Sequence, residues 1–323
     1  ASMLQAGAKV HSTPGNYNNH VGLPLTILAM ETGTAVLVAE MGADHKGEIR
    51  LLSEIAEPDI GIVTNIGPGH LEYFGSLKGV ASAKAELPQS LTRDGTAVLP
   101  ADDDFFEFLA GKTEGKVVSF GFSEEADWRP EEIVIDEDGG SCFSLRGVRM
   151  RLQSPGRYHI LNVTAAAAAV TLMGASLSQI AEAVEGFRAV ERRGRKYDVA
   201  GITFVNDSYN SNPMSLEASI EAFTAMKVAG RRWLVLGDML ELGSESAGLH
   251  RQAGKVCGKA GVYGLMTIGD ETVELNREAA VQSKAPREIS HFIDMETLSE
   301  FINDMLEEGD AVLVKGSRNT RMW

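Results

Sequence analysis

Short apolar runs alternate with helical patterns along most of this 323-residue chain, and that alternation leaves few folds open to it. In the second half, Ile202–Val205, Trp233–Leu236, Leu265–Ile268, Glu288–Phe292 and Ala311–Val314 are such runs. Between them lie the helix-period segments Pro213–Ala225, Leu249–Lys259, Thr272–Gln282 and Glu296–Met305. Runs this short and this apolar read as strands buried on both faces. Strands separated by helices pair in parallel, because a parallel partner is reached only by a crossover connection.

The first half follows the same rule. Strands are expected at Thr34–Ala39, Asp59–Ile66, Thr96–Leu99 and Lys116–Phe120. Helices are expected at Gly47–Ala56, with an apolar stripe of Ile49, Leu51, Leu52 and Ile55, around Lys84, and at Asp103–Ala110. From Glu131 the character changes. Ile133–Ile135, Cys142–Leu145 and Val148–Leu152 are separated by Asp138-Gly139-Gly140 and Arg146-Gly147, which reads as a small antiparallel meander. Helices Ile160–Met173 and Leu177–Val184 follow, and Ser2–Ala8 reads as the tail of a helix.

The expected class is α/β: a central, mostly parallel sheet domain with a small antiparallel meander, then a second doubly wound, Rossmann-like domain. The basic, glycine-containing stretch Arg192–Lys196 is taken as boundary and hinge, giving domains 1–194 and 195–323. The length itself favours two cores over one.

Composition narrows the function. A net charge of −15 argues against non-specific binding to nucleic acid or to an anionic membrane surface. A phosphate-bearing ligand would need a local site of main-chain N–H groups, a metal or a few cations. The only cysteines, Cys142 and Cys257, make no disulfide framework and fit a reducing cytoplasm. No apolar run reaches the ~18 residues of a membrane span, and the first residues lack a signal-peptide layout.

Open α/β sheets bind ligands at the carboxyl ends of their strands, so the polar groups there are the candidates. Strand Thr34–Ala39 runs into Glu40-Met41-Gly42, and Asp59–Ile66 runs into Gly67-Pro68-Gly69-His70. Glu40 and His70 are hard and borderline ligands suited to Mg²⁺ beside a phosphate, although either alone reads equally as a solvated surface group. The stretch Thr13–Thr26 is a turn-rich loop whose Asn16, Asn18 and Asn19 read as binding amides or as simple turn residues. In the second half, strand ends carry Asp207, Asn210 and Asn212, then Asp238 and Glu241, then Lys315 and Arg318. Asp207 suits a ribose, and Pro213 opens a helix whose N-terminus suits phosphate; an Asn-rich helix cap is the plainer reading. Lys315 and Arg318 are the cations expected opposite an anionic substrate. No G-x-G-x-x-G follows a strand, so a dinucleotide cofactor is not supported.

Taken in order, T-P-G-N-Y-N-N-H-V-G-L-P-L-T, E-M-G, T-N-I-G-P-G-H-L-E, A-K-A-E, N-D-S-Y-N-S-N-P, L-G-D-M-L-E-L-G and V-K-G-S-R resemble the Mur ligases over nearly the whole chain. N-D-S-Y-N-S-N-P and the early T-P-G-N stretch point to the branch that adds D-Ala-D-Ala to UDP-N-acetylmuramoyl-tripeptide. The resemblance implies a soluble enzyme of the bacterial cytoplasm, working as a monomer with ATP and two Mg²⁺ in peptidoglycan precursor synthesis. By it, ATP phosphorylates the tripeptide's terminal carboxylate, and the dipeptide amine then displaces phosphate from that acyl phosphate.

The same resemblance assigns Glu40 and His70 to Mg²⁺, and Lys84 to the lysine that becomes carbamylated and holds a second ion. It assigns Asn162 to adenine, Arg195 and Asp207 to the nucleotide with Asn210 nearby, and Asn16, Asn18, Asn19 and Asp238 to the substrate. Lys315 and Arg318 would steady the dipeptide carboxylate or the tetrahedral intermediate. The family's G-x-H-x-x-x-N reads here as Gly156–Asn162 with Tyr158 in place of His, so an altered contact is expected there. No G-x-x-G-K-[ST] occurs in these residues. The resemblance implies that this loop and a small N-terminal domain lie upstream, that the chain stops short at Trp323, and that it is inactive alone. Two rival readings remain: another Mur-type or folylpolyglutamate-type amide ligase, and a non-catalytic module that binds a nucleotide-sugar peptide.

Overall fold

The computed structural model describes residues 1–5 and 7–322. The chain forms two compact units. One holds residues 1–134, 142–152 and 159–187; the other holds 135–141, 153–158 and 188 onward. The expected helix tail at Ser2–Ala8 falls partly on Ala6, outside the described residues, and its neighbours are turns. Trp323, where the chain was expected to stop short, also lies outside them.

In the first unit β1 (Val10–Ser12) leads through α1 (Gly22–Leu28) to β2 (Val36–Val38), and the two strands pair in parallel with Val10 opposite Val36. Then come α2 (Glu48–Ala56), β3 (Ile60–Ile62), α3 (Leu71–Phe74), α4 (Leu77–Lys84), α5 (Glu86–Ser90), β4 (Thr96–Pro100), α6 (Phe106–Ala110) and β5 (Lys116–Phe120). β3, β4 and β5 form a parallel sheet in that order, with β4 buried at every position. β6 (Pro130–Ile135), β7 (Ser141–Leu145) and β8 (Val148–Leu152) form a further sheet in chain order. The two-residue link Arg146-Gly147 is long enough only for an antiparallel turn. α7 (Arg157–Leu172) and α8 (Leu177–Glu185) follow. One core joins Phe120, Trp128, Phe143, Met150 and Ile160; a second joins Val63, Ile66, Val80, Leu99 and Leu109.

Besides the shorter bounds of β2 and α6 than the expected Thr34–Ala39 and Asp103–Ala110, two expectations for this unit need correction. Thr13–Thr26 is not all loop, because α1 begins within it at Gly22, whose N–H donates to Asn19 Oδ1. The strand expected at Asp59–Ile66 ends at Ile62; beyond Val63, whose N–H meets the Val98 carbonyl, the chain leaves the sheet because Asp103 draws in the Ile66 N–H.

The second unit contains β9 (Arg195–Val199), β10 (Ile202–Asn206), α9 (Pro213–Ala225), β11 (Arg232–Gly237), α10 (Ser246–Cys257), β12 (Gly264–Ile268), α11 (Thr272–Ala280), β13 (Glu288–Phe292), α12 (Met295–Met305) and β14 (Ala311–Lys315). Its six-stranded sheet runs β13-β12-β11-β14-β10-β9 and is parallel except for β9 against β10. Apolar side chains cover both faces, in one cluster around Phe223, Leu234 and Leu265 and another around Trp233, Met266 and Val312. α9 starts on a reciprocal cap: Asn212 accepts from the Ser215 N–H while Ser215 accepts from the Asn212 N–H, with Pro213 at the first helical position.

The stretch read as a hinge ends in a strand. Arg195 and Lys196 begin β9, which turns into β10 through Ala200-Gly201 at φ 53° and 76°. Two consecutive left-handed residues are what a two-residue hairpin turn requires, and the glycine meets half of that demand without strain.

Asp310 anchors the start of β14. It is 2% exposed, and its carboxylate accepts from the Arg231 N–H and guanidinium, from Trp233 Nε1 at 3.1 Å and from the Glu307 N–H at 3.1 Å. Burial alone would raise its pKa, but the Arg231 hydrogen bonds win and hold it below the ordinary carboxylate value. A depressed folded pKa gives stability that is present above the unfolded value and lost as pH falls through the folded one. Asp310→Ala is therefore expected to lower the unfolding free energy of this unit at neutral pH by about 3 kcal/mol. The deficit should shrink as pH drops below about 4. Denaturant titration across pH checks both, and a loss under about 1 kcal/mol contradicts them.

Candidate active site

The predicted residues fall into two groups, one in each unit. In the first unit, Glu40 lies two residues beyond β2. Its N–H donates to Thr13 Oγ1 at 2.9 Å, and its Oε1 accepts from Asn18 Nδ2 at 2.9 Å. The Gly42 N–H donates to the Asn18 carbonyl at 2.8 Å, so the early loop is docked on the strand-end loop. A Cβ at Gly42 would lie 2.7 Å from Asn18 Nδ2.

The three early amides thus separate. Asn18 orients Glu40. Asn19 ties the turn before α1, its Oδ1 accepting from the Val21 and Gly22 N–H groups at 3.2 and 2.8 Å. Asn16 is exposed.

His70 opens α3 with left-handed backbone, φ 54°. Nearby, Asp44 has its pKa held below the ordinary value chiefly by the hydrogen bond to His45. Asp44 and His45, 2.5 Å apart, come together with Glu48, whose Oε2 accepts from both of their N–H groups at 2.9 Å.

Lys84, the last residue of α4, is half-buried, and its Nζ donates to the Asn65 carbonyl at 2.7 Å. Burial lowers its pKa from the ordinary lysine value, with the charge of Asp103 resisting. Asp103 also accepts from the Ile66 N–H at 2.7 Å and the Phe105 N–H at 2.9 Å. It therefore holds the chain segment that leads to His70. Asn162 is exposed on α7.

In the second unit, Asp207 and Lys315 form a buried ion pair, Nζ to Oδ2 2.6 Å. Lys315 Nζ also donates to the Asn210 carbonyl at 3.0 Å, and Ser219 Oγ donates to Asp207 Oδ2 at 2.6 Å. Burial lowers the lysine pKa while Asp207 holds it up. Lys315, one of the two cations expected opposite an anionic substrate, is therefore buried and paired, while Arg318 and Arg195 are exposed.

Asp238 is also turned inward. Its Oδ1 accepts from the Thr272 N–H at 3.0 Å at the start of α11, and burial raises its pKa. Ser317 ties neighbouring loops together: its N–H donates to the Asp238 carbonyl at 3.0 Å and its Oγ accepts from the Leu240 N–H at 2.8 Å. His250, fully buried, accepts from the Met239 N–H through Nε2 at 3.1 Å and donates through Nδ1 to the Ser246 carbonyl at 2.9 Å.

Tyr158, at the position where the family motif has His, lies in the first turn of α7 and is itself part of this second unit. Gly156 at φ 107° makes room for it, since a Cβ there would lie 2.5 Å from the Tyr158 ring. Burial first, then the charge of Asp207, raises the phenol pKa, so it stays protonated.

The residue types fit the groups that the resemblance implies. Glu40 Oε2 takes no hydrogen bond among the described residues, and a carboxylate oxygen is a hard donor for Mg²⁺. Asp207 Oδ1 is likewise free of hydrogen bonds among them, as a ribose hydroxyl requires. Sequence reasoning missed Asp103, Ser219, Ser317 and His250. For Asp103 a signal existed, because it lies just beyond the end of β4.

These strand-end groups place the chain among α/β proteins whose sites are assembled from loops at the carboxyl ends of strands. Residues 1–170 match the family described as Mur ligase middle domain, and residues 190–318 match the Mur ligase, glutamate ligase domain. The chain belongs to the Mur ligase family, whose members are ATP-dependent ligases. It is 32% identical over 325 residues to the UDP-N-acetylmuramoyl-tripeptide--D-alanyl-D-alanine ligase of Bacillus subtilis, covering 99% of this chain and 70% of that one. Among solved structures, MurF from Acinetobacter baumannii superposes with TM-score 0.90 at 28% identity, covering 99% of this chain and 70% of that one. MurF ligase from Thermotoga maritima in complex with ADP gives TM-score 0.87 at 27% identity, covering 99% and 73%.

Asp103→Ala should free the Ile66 N–H without disturbing β4. A hydrogen bond to a charged acceptor contributes about 1.5–3 kcal/mol. Amide exchange at Ile66 is then expected to rise about ten-fold or more, with Leu99 unchanged. Equal rates at Ile66 in both proteins would remove Asp103 from this role.

Proposed function

We propose that the protein joins D-Ala-D-Ala to UDP-N-acetylmuramoyl-tripeptide at the expense of ATP, in the bacterial cytoplasm, as a step of peptidoglycan precursor synthesis. The observation that carries this reading is the match along 99% of the chain to a ligase whose own name states those substrates. The domains are taken as a middle ATP-binding domain, 1–194, and a C-terminal domain, 195–323, in a monomeric enzyme.

The residues divide the work as follows. Glu40, oriented by Asn18, and His70 hold Mg²⁺. Lys84 has an amine that burial makes easier to deprotonate. Only the neutral amine can take up CO₂, so this position favours a carbamate, which exchanges a cation for an anionic ligand of a second Mg²⁺. Those ions, when bound, neutralise charge on the phosphate oxygens. Asn162, Arg195 and Asp207 hold the nucleotide, with Asn210 beside them. Asn16 lies on the side of the UDP-muramoyl substrate, and Arg318 faces the dipeptide carboxylate. Positioning and charge neutralisation are most of what phosphoryl transfer asks of a protein.

With the full-length gene product, phosphate release from Mg²⁺-ATP should require both UDP-muramoyl-tripeptide and D-Ala-D-Ala, and mass spectrometry should find the pentapeptide product. Release with a different amino acid in place of the dipeptide would move the protein to a sister ligase. Lys84→Ala is expected to abolish turnover, and short carboxylic acids should partly restore it. Unchanged activity in that variant contradicts the carbamate.

A further inference from the structure

Lys315 closes β14, and Asp207 lies one residue beyond β10, its parallel neighbour. Their exposures are 2% and 8%, so this charge pair is out of water. A lysine that met an anionic substrate would stand at the surface with its amine free. Here the amine is held between Asp207 Oδ2 at 2.6 Å and the Asn210 carbonyl at 3.0 Å. Ser219, reaching from α9, donates to the same Oδ2 at 2.6 Å.

One carboxylate oxygen is therefore fixed from two directions by two different elements. The other, Oδ1, takes no hydrogen bond among the described residues. Tyr158, Gly194, Asp207 and Ser219 line a small pocket.

An ionised carboxylate oxygen only accepts hydrogen bonds. Held in one rotamer, it selects ligands that bring hydroxyl donors and repels phosphate and carboxylate groups. Remove the lysine, and Asp207 becomes a buried charge without its counter-ion. It would then protonate or turn away, and either change spoils the acceptor.

We infer that Lys315 is a positioning residue for recognition of the nucleotide ribose. Together with Ser219 it fixes Asp207 by Oδ2 so that Oδ1 meets the sugar hydroxyls, and it does not touch the dipeptide. This rests on the proposed contact between Asp207 and the ribose.

The test uses the full-length gene product and equilibrium binding of ADP against 2′,3′-dideoxy-ADP, which lacks both hydroxyl donors. Wild-type protein is expected to prefer ADP by about ten- to hundred-fold, the range for hydrogen bonds to a charged acceptor. Lys315→Met should bring that ratio close to one, and Ser219→Ala should lower it part of the way. KM for D-Ala-D-Ala should stay unchanged in both. Asp207→Asn combined with Lys315→Met should lose no more preference than Asp207→Asn alone. If Lys315→Met does not fold, the intermediate ratio of Ser219→Ala carries the test.

Three results overturn the inference: no preference in wild type, a preference kept in both single variants, or a raised dipeptide KM with the preference intact. A merely structural role would weaken both nucleotides equally and so falls in the second class. A protein that shows the predicted ratios but forms no pentapeptide would keep this inference and remove the reaction proposed above.

Discussion

A main-chain N–H that leaves the end of a parallel strand has lost its ladder partner and needs another, a side chain or water. In this chain, oxygen-bearing side chains meet that demand repeatedly. Asp103 takes the Ile66 N–H, Asp238 takes the Thr272 N–H, Ser317 takes the Leu240 N–H, and Asp102 takes the Phe122 and Ser123 N–H groups at 2.6 and 2.9 Å. Glu86 does the same at the start of α2, accepting from the Gly47 and Arg50 N–H groups at 2.8 and 3.0 Å. Part of the acidity of the chain is therefore internal scaffolding. The loops at these strand ends are held by carboxylates of the protein itself.

The same demand sorts the candidate residues. A polar group at a strand end either faces a ligand or holds a neighbouring loop, and its sequence position does not say which. Glu40 and Asp207 each have one oxygen fixed by the protein and the other free of protein partners among the described residues. Half-tied carboxylates of this kind are oriented before any ligand arrives, so little ordering remains for binding to bring about. Asp238 and Lys315 have their polar groups turned inward. Lys84 stands between these cases: its amine meets a carbonyl, and burial lowers its pKa.

Much of the architecture was legible because periodicity is a local property. Pro213–Ala225 was bounded to the residue by Pro213 at its start, and β5 and β8 were bounded by the turns beside them. Where the reading failed, a distant group decided the outcome. β3 ends early because Asp103, far along the chain, draws Ile66 away. β9 was hidden because Arg195 and Lys196 suggested a linker and Ala200-Gly201 is not a typical turn pair. In the candidate site, residue types and strand-end positions were readable, but partners were not. Nothing local to V-K-G-S-R says that its lysine turns inward onto a carboxylate 108 residues earlier.

The central claim is that Asp207 is divided, with Oδ2 given to the protein and Oδ1 to the nucleotide. A crystal structure of the full-length protein with a non-hydrolysable ATP analogue and UDP-muramoyl-tripeptide tests it most directly. A ribose hydroxyl within hydrogen-bonding distance of Oδ1, with the Lys315 amine still on Oδ2, is the predicted result. A Lys315 amine that has left Asp207 for a phosphate or a substrate carboxylate would contradict it.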